Sequence, residues 1–245
     1  MKITTVFITF LFAIQILSAQ SKDIPTSSFD KVIISPNINV TLVKAEEASV
    51  RIDRHSIPLE KINVEVKGKT LRLFLEDAKI TTKTRKERGR NYKMNLPIYK
   101  GGEVTATIFY TDLRKLSIRG EEEVVCESLV QGEKFKVKMY GEAQFIAKDI
   151  EVEKLKVALF GENYFEVKNG FAGTQTLRTF GENEVNLRRL DNKLSVVRGY
   201  GENEYKISAE NTIRFSSFGE ASIAYSGNAD LRKVIVLGET EVRRR

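Results

Sequence analysis

The chain is poor in the residues that staple, coordinate or catalyse. One cysteine, Cys126, among 245 residues leaves no intrachain disulfide to form. One histidine, His55, stands beside Arg54 without a nucleophile motif, so it offers no general base, and no Cys/His metal cluster is encoded. Tryptophan is absent and there are four prolines. After the first twenty residues no stretch reaches the about 20 apolar residues of a membrane-spanning helix. No helical periodicity follows either, so no glycine-rich loop opens onto a helix to cradle phosphate, and no cofactor is implied. The formal charge of +7 is a mild basic excess and not the footprint of a nucleic-acid binder.

What the chain does have begins with Met1 and Lys2, followed by an almost wholly apolar run over residues 6–17 and then Leu17, Ser18 and Ala19 before Gln20. That order predicts a secretory signal over residues 1–19, cleaved after Ala19. No cysteine follows it to carry a lipid. The mature chain, 20–245 with charge +6, is expected to be exported to the periplasm, the outer membrane or the cell surface. Without disulfides it must be held by core burial and backbone pairing.

The dominant signal is a repeat. Gly-Glu pairs begin at Gly120, Gly141, Gly161, Gly181, Gly201, Gly219 and Gly238, at steps of 18 to 21 residues. Four residues before each glycine stand Leu116, Val137, Val157, Leu177, Val197, Phe215 and Val234. Four after it stand Val124, Phe145, Phe165, Val185, Tyr205, Ile223 and Val242, and six after it Cys126, Ala147, Val167, Leu187, Ile207 and Tyr225. Polar residues alternate with these, which is a period of two and therefore β. Each unit reads as two short strands joined at the Gly-Glu corner. A second corner is predicted near residues 149–153, 169–173, 191–193 and 227–230. A unit of about 20 residues is too short for strand–helix–strand and fits one coil of a parallel β-solenoid, with rungs about 4.8 Å apart. An antiparallel sandwich also accommodates short strands, but it gives no reason for the columns to repeat.

Residues 29–110 are strand-like and less regular, at 32–34, 37–43, 49–52, 62–66, 71–75 and 104–110. We expect an irregular β segment over 20–110, supplying first coils and a cap, and a regular solenoid over 111–245. Between them lies a cationic stretch, Lys83, Arg85, Lys86, Arg88, Arg90 and Lys93 against Glu87. It reads as a solvated loop, or as a contact for anionic lipid or acidic polysaccharide.

The order of these features, Phe29-Asp30-Lys31-Val32, then Ile62 to Leu71 as strand, turn and strand, then Leu113 to Gly120 opening the glycine-cornered repeats, resembles the auto-transporter adhesin head GIN domain family of exported bacterial proteins. The resemblance spans roughly 29–240. It implies a right-handed parallel β-helix outside the cytoplasm, with no established activity and no functional residues to carry over. The regular Glu after each Gly is a departure from the family's small residues.

Two outward columns are candidate sites. The carboxylates Glu142, Glu162, Glu182 and Glu202, with Glu121, Glu220 and Glu239, would align at coil spacing. Two charges about 4.8 Å apart repel by about 0.9 kcal/mol in water. The column is therefore splayed, paired, bonded to backbone N–H groups at a positive-φ corner, or bound to a divalent cation. The position before each glycine gives Tyr140, Phe160, Phe180, Tyr200 and Phe218, either packed along the corner or facing out as a sugar or protein contact. Asn163, Asn183 and Asn203 should form an amide ladder. Identical glutamates on every coil do not make the differentiated acid and nucleophile of a glycosidase. The sequence thus favours a non-catalytic binding or adhesin-like module for a glycan or an envelope or surface protein. A carbohydrate-active β-helix enzyme and a purely structural envelope protein are the alternatives. Open terminal coils would allow a homo-oligomer.

Overall fold

A computed structural model describes residues 22–88 and 93–245, so the expected signal over 1–19 and Arg90 of the cationic stretch lie outside the described residues. The chain is a β-solenoid in which like residues meet like. Val137 pairs with Val157, Val157 with Leu177, Leu177 with Val197 and Val197 with Phe215, all in parallel register. The column continues downward through Leu116, Val32 and Leu71. A second column runs Ala106, Val40, Val124, Phe145, Phe165, Val185, Tyr205 and Ile223. Each of these side chains is buried, and together they form one continuous core cluster. Each fully buried Val, Leu or Phe contributes about 1.5–3 kcal/mol. This burial is what holds a chain without disulfides.

The seven corner glycines all have positive φ, from 99° at Gly201 to 121° at Gly219. That conformation turns the strand while pairing continues through it, as at Gly161 against Gly181 and Glu162 against Glu182. It also brings each corner directly over the last. A Cβ on Gly201 would lie 2.5 Å from the Gly181 carbonyl oxygen, so glycine is required twice over, by φ and by contact.

The rest of the coil departs from the two-strand reading. Pairing pauses at Glu133, Glu153, Gly173 and Lys193, between ladders such as Ile150 to Val152 and Lys154 to Gly161. The turns proper fall at residues 168–169 and 188–189, ahead of the predicted 191–193. Each full coil therefore has three paired segments. The sequence hides the third because it is only three residues long, too short to show alternation.

Spatial order differs from chain order at the N-terminal end. The coil of Lys31–Ile34 and Ile38–Lys44 lies between the coil of Lys115–Gly120 and Glu123–Cys126 on one side and that of Thr70–Leu75 and Val104–Tyr110 on the other. Three antiparallel strands then close the edge: Ile62–Lys67 on Thr70–Leu75, Ser49–His55 on Val104–Tyr110, and Lys22–Pro25 on Ser49–His55. Reversing strand direction ends the parallel ladder, which otherwise offers unpaired N–H and C=O groups to another chain. The described part of the cationic stretch is mostly strand and not loop: Thr84–Arg88 and Lys93–Pro97 pair antiparallel in a sheet of their own, and Lys83 meets Asp77 at 2.5 Å.

At the other end the register slips. Phe215 faces Lys233 and Ser216 faces Ile235, so Val234 drops out of the ladder and is 60% exposed. The expected inward position of Val234 is thereby corrected. With no described coil stacked beyond it, Asp230–Leu237 lacks the second neighbour that buries the other rungs.

Candidate functional site: the corner stripes

The corner glycine divides two outward stripes. On one side, Tyr140, Phe160, Phe180, Tyr200 and Phe218 form an unbroken stack, with ring centroids 5.0, 5.0, 4.8 and 4.8 Å apart and planes within 6° of parallel. They stand on the outer face of the sheet, Phe180 and Tyr200 being 37% and 38% exposed. Strand alternation puts them there, since the inward positions are taken by the valine column. Both faces of the three middle rings are covered by neighbouring rings. The stripe therefore presents ring edges and tyrosine hydroxyls to solvent.

On the other side run Glu142, Glu162, Glu182 and Glu202, all exposed. None forms an ion pair or side-chain hydrogen bond among the described residues, so the expected backbone bonds to these carboxylates are absent. The carboxylates stand exposed to water. Among the described residues no three His, Cys, Asp or Glu groups converge as a metal cage. Between this row and a second lies a groove with a floor of buried asparagines. The second row, Gln144, Tyr164, Glu184 and Glu204, was legible as the position three after each glycine but was not singled out. It is partly neutralised: Lys206 Nζ lies 2.8 Å from Glu184 and 2.9 Å from Glu204, and these hydrogen bonds hold the Lys206 ammonium above the ordinary lysine range. The groove volume is about 470 Å³, and it continues past Glu220 to Glu239 as a further 460 Å³.

The floor is the predicted amide ladder. Asn163 Nδ2 donates to Asn183 Oδ1 at 3.1 Å, and Asn183 Nδ2 to Asn203 Oδ1 at 3.2 Å. Asn163 Oδ1 and Asn183 Oδ1 also accept backbone N–H groups of Ala143 and Asn163, each at 3.3 Å. The Asn163 and Asn183 amides are thus spent on the fold, while Asn203 Nδ2 has no partner within the protein.

Beyond the aromatic stripe the same sheet face is cationic. Lys115, Lys136 and Lys156 share one register, with Lys138, Arg178 and Arg198 closer to the rings. Partial burial, and then repulsion from Lys138, Lys115, Lys134 and Lys156, push the Lys136 ammonium below its ordinary range. The molecule thus carries three parallel stripes: cationic, aromatic and, across the corner, anionic.

Other sequence candidates are dispersed. His55 is exposed, its Nδ1 2.7 Å from the Ile57 carbonyl, and Cys126 is buried beneath Tyr110, Sγ 3.6 Å from the hydroxyl. A cavity of about 690 Å³ at the head of the aromatic stripe, lined by Arg119, Glu122, Ile80 and Tyr99, was missed. Its walls come from segments distant in sequence.

The fold is shared with solved structures. A putative adhesin from Bacteroides fragilis superposes with a TM-score of 0.73 at 17% identity, covering 92% of this chain and 96% of that one. A putative adhesin from Parabacteroides merdae gives 0.63 at 12%, covering 92% and 95%. A structure described as a putative lipid binding protein, from Parabacteroides distasonis, gives 0.63 at 15%, covering 92% and 96%. No match is found among curated proteins. Among the described residues no helix is long and apolar enough to cross a membrane. The family model described as "Putative auto-transporter adhesin, head GIN domain" matches residues 28–229, and with the glycine-cornered solenoid beneath that match, this chain belongs to that family.

Proposed function

We propose that the protein is an exported, non-catalytic, adhesin-like module of the cell envelope or surface that binds an extended glycan in the corner groove. The observation that carries this reading is the unpaired carboxylate row of Glu142, Glu162, Glu182 and Glu202, one residue across the corner from a half-exposed aromatic wall. Carboxylates that accept no protein hydrogen bond are free to accept sugar hydroxyls. Repetition at rung spacing suits a chain and not a single small molecule. The ring faces are occupied by one another, so the aromatic stripe serves as an apolar wall of ring edges and not as a stacking platform. Glycan arrays, followed by titration with the double variant Glu182→Gln/Glu202→Gln, test the reading. These two groups hold nothing in the fold, so the variant should melt as the wild type does while glycan binding falls. Full retention of binding by that variant, or an array without a ligand, refutes the groove as the site. Fractionation with surface proteolysis tests export.

A further inference from the structure

The repeat supplies its own control, because each coil shows what a position needs for folding alone. In the column before the corner glycine, five coils carry a ring, the last carries the apolar Leu237, and the first alone carries a charge, Arg119. In the floor column, Ala143, Asn163, Asn183, Asn203 and Ala221 are neutral, and the first coil carries Glu122. Both exceptions fall in the same coil, and both line the same cavity of about 690 Å³. A volume in this range holds a small ligand of one or two rings.

Neither exception has an oppositely charged partner in the protein. Arg119 Nη1 is buried without a hydrogen-bond partner, and the guanidinium lies 5.9 Å over the Tyr140 ring. Glu122 is 8% exposed, and its Oε2 accepts the Glu121 N–H at 3.0 Å. Among the described residues neither side chain has an ion-pair partner within 4.0 Å, and they do not pair with each other. Burying a carboxylate, and one edge of a guanidinium, without an ion-pair partner is unfavourable for folding. The arrangement is suited to a ligand that offers an anion to one and a donor to the other. The remaining wall is mixed: Ile80, Pro97 and the Tyr99 ring supply an apolar part, and Thr81, Thr82 and a second cation, Lys100, a polar one. The Tyr99 hydroxyl is already engaged, donating to the Glu76 carbonyl at 2.9 Å. Ile80 stands 61% exposed at this cavity.

We propose that this cavity binds a carboxylate-bearing sugar, a hexuronic acid, with Arg119 taking the carboxylate, Glu122 accepting a ring hydroxyl and the apolar wall covering the C–H face. Arg119, the one guanidinium of the lining, and Lys100 are balanced by Glu121 and Glu122, so the cavity carries no net positive charge and suits an anion of one charge. A phosphate, carrying nearly two, meets the same single fork and more repulsion. The site is separate from the groove, and a monosaccharide tests it without involving the carboxylate row.

The test is protein-observed NMR and calorimetric titration of the full mature chain with methyl glucuronide, methyl glucoside and glucose 6-phosphate. Methyl glucuronide should bind at least about tenfold more tightly than either of the others, the worth of a charge-assisted hydrogen bond. Arg119→Gln should abolish that preference and Glu122→Gln should weaken both sugars, while Arg198→Gln, on the open face, changes nothing. In the wild type the Tyr99 and Tyr140 ring signals should shift on titration, a readout that stands even if a variant does not fold. Equal binding of glucoside and glucuronide, tighter binding of the phosphate, an undiminished preference in Arg119→Gln, or no ring shift at millimolar glucuronide would each overturn the proposal. Loss of groove binding in Glu182→Gln/Glu202→Gln leaves it untouched.

Discussion

Asn183 is the middle rung of the amide ladder, and replacing it with alanine removes three hydrogen bonds at once. Its Oδ1 accepts from Asn163 Nδ2 and from the Asn163 N–H, and its Nδ2 donates to Asn203 Oδ1. Each bond is worth about 1 kcal/mol net, and a buried donor left stranded adds about 1–3 kcal/mol. Asn163 and Asn203 are 3% and 6% exposed, so water does not readily replace the lost partner. The expected loss is about 3–5 kcal/mol, or about 6–20 °C in melting temperature for a chain of this size. Backbone compatibility is not at issue, since Ala143 and Ala221 occupy this column on other coils. Asn203→Ala is the internal comparison. It loses one bond, and the Nδ2 it removes already lacks a partner, so about 1–2 kcal/mol is expected. The double variant Asn163→Ala/Asn183→Ala should cost less than the sum of its parts, because it removes the stranded amide as well. Melting by circular dichroism ranks the variants, and amide exchange of the Glu162–Asn163 region locates the effect. Equal melting temperatures for Asn183→Ala and Asn203→Ala, or strict additivity in the double variant, would refute the ladder as an energetic unit.

Gly201→Ala, with φ of 99° and a Cβ 2.5 Å from the Gly181 oxygen, should lower stability by about 3 kcal/mol or more, whereas Gly68→Ala, which meets open space at φ 58°, should cost about 1 kcal/mol; urea titration separates them. Val197→Ala should cost about 2 kcal/mol and Val234→Ala less than about 0.5 kcal/mol in the same assay, since only the first lies inside the ladder, and equal losses would contradict the register slip. Burial pushes the Cys126 thiol up to about 11. The native protein should therefore resist alkylation at pH 8 and react promptly in urea. Because the unfolded thiol ionises first, stability due to this group is intact below about pH 9 and is lost as pH rises toward 11. Cys126→Ala should flatten that part of the alkaline decline, and an unchanged profile would refute the assignment.

Much of the architecture was legible because a solenoid writes its contacts into its period. Val137, Val157, Leu177 and Val197 stack in turn because each is 20 residues from the next, and the same rule yields the asparagine ladder and the aligned rings. Pairing of identical positions needs no knowledge of the rest of the fold. Where contacts do not follow the period, the sequence was silent or misleading. It showed a column of carboxylates but not that they stand free of the backbone, because that depends on how each side chain leaves the corner. It placed Val234 in the core, where a one-residue slip against Phe215 puts it in solvent. It could not show that residues 31–44 lie beneath residues 115–126, nor that Arg119 and Glu122 meet Ile80 and Tyr99 around one cavity. Those neighbours come from segments tens of residues apart with no shared period, and folding alone brings them together. The primary structure therefore determined the rung and its repetition, through alternation and a glycine that must turn. The tertiary structure decided the ends, the threading and the cavity, through contacts for which no local pattern exists.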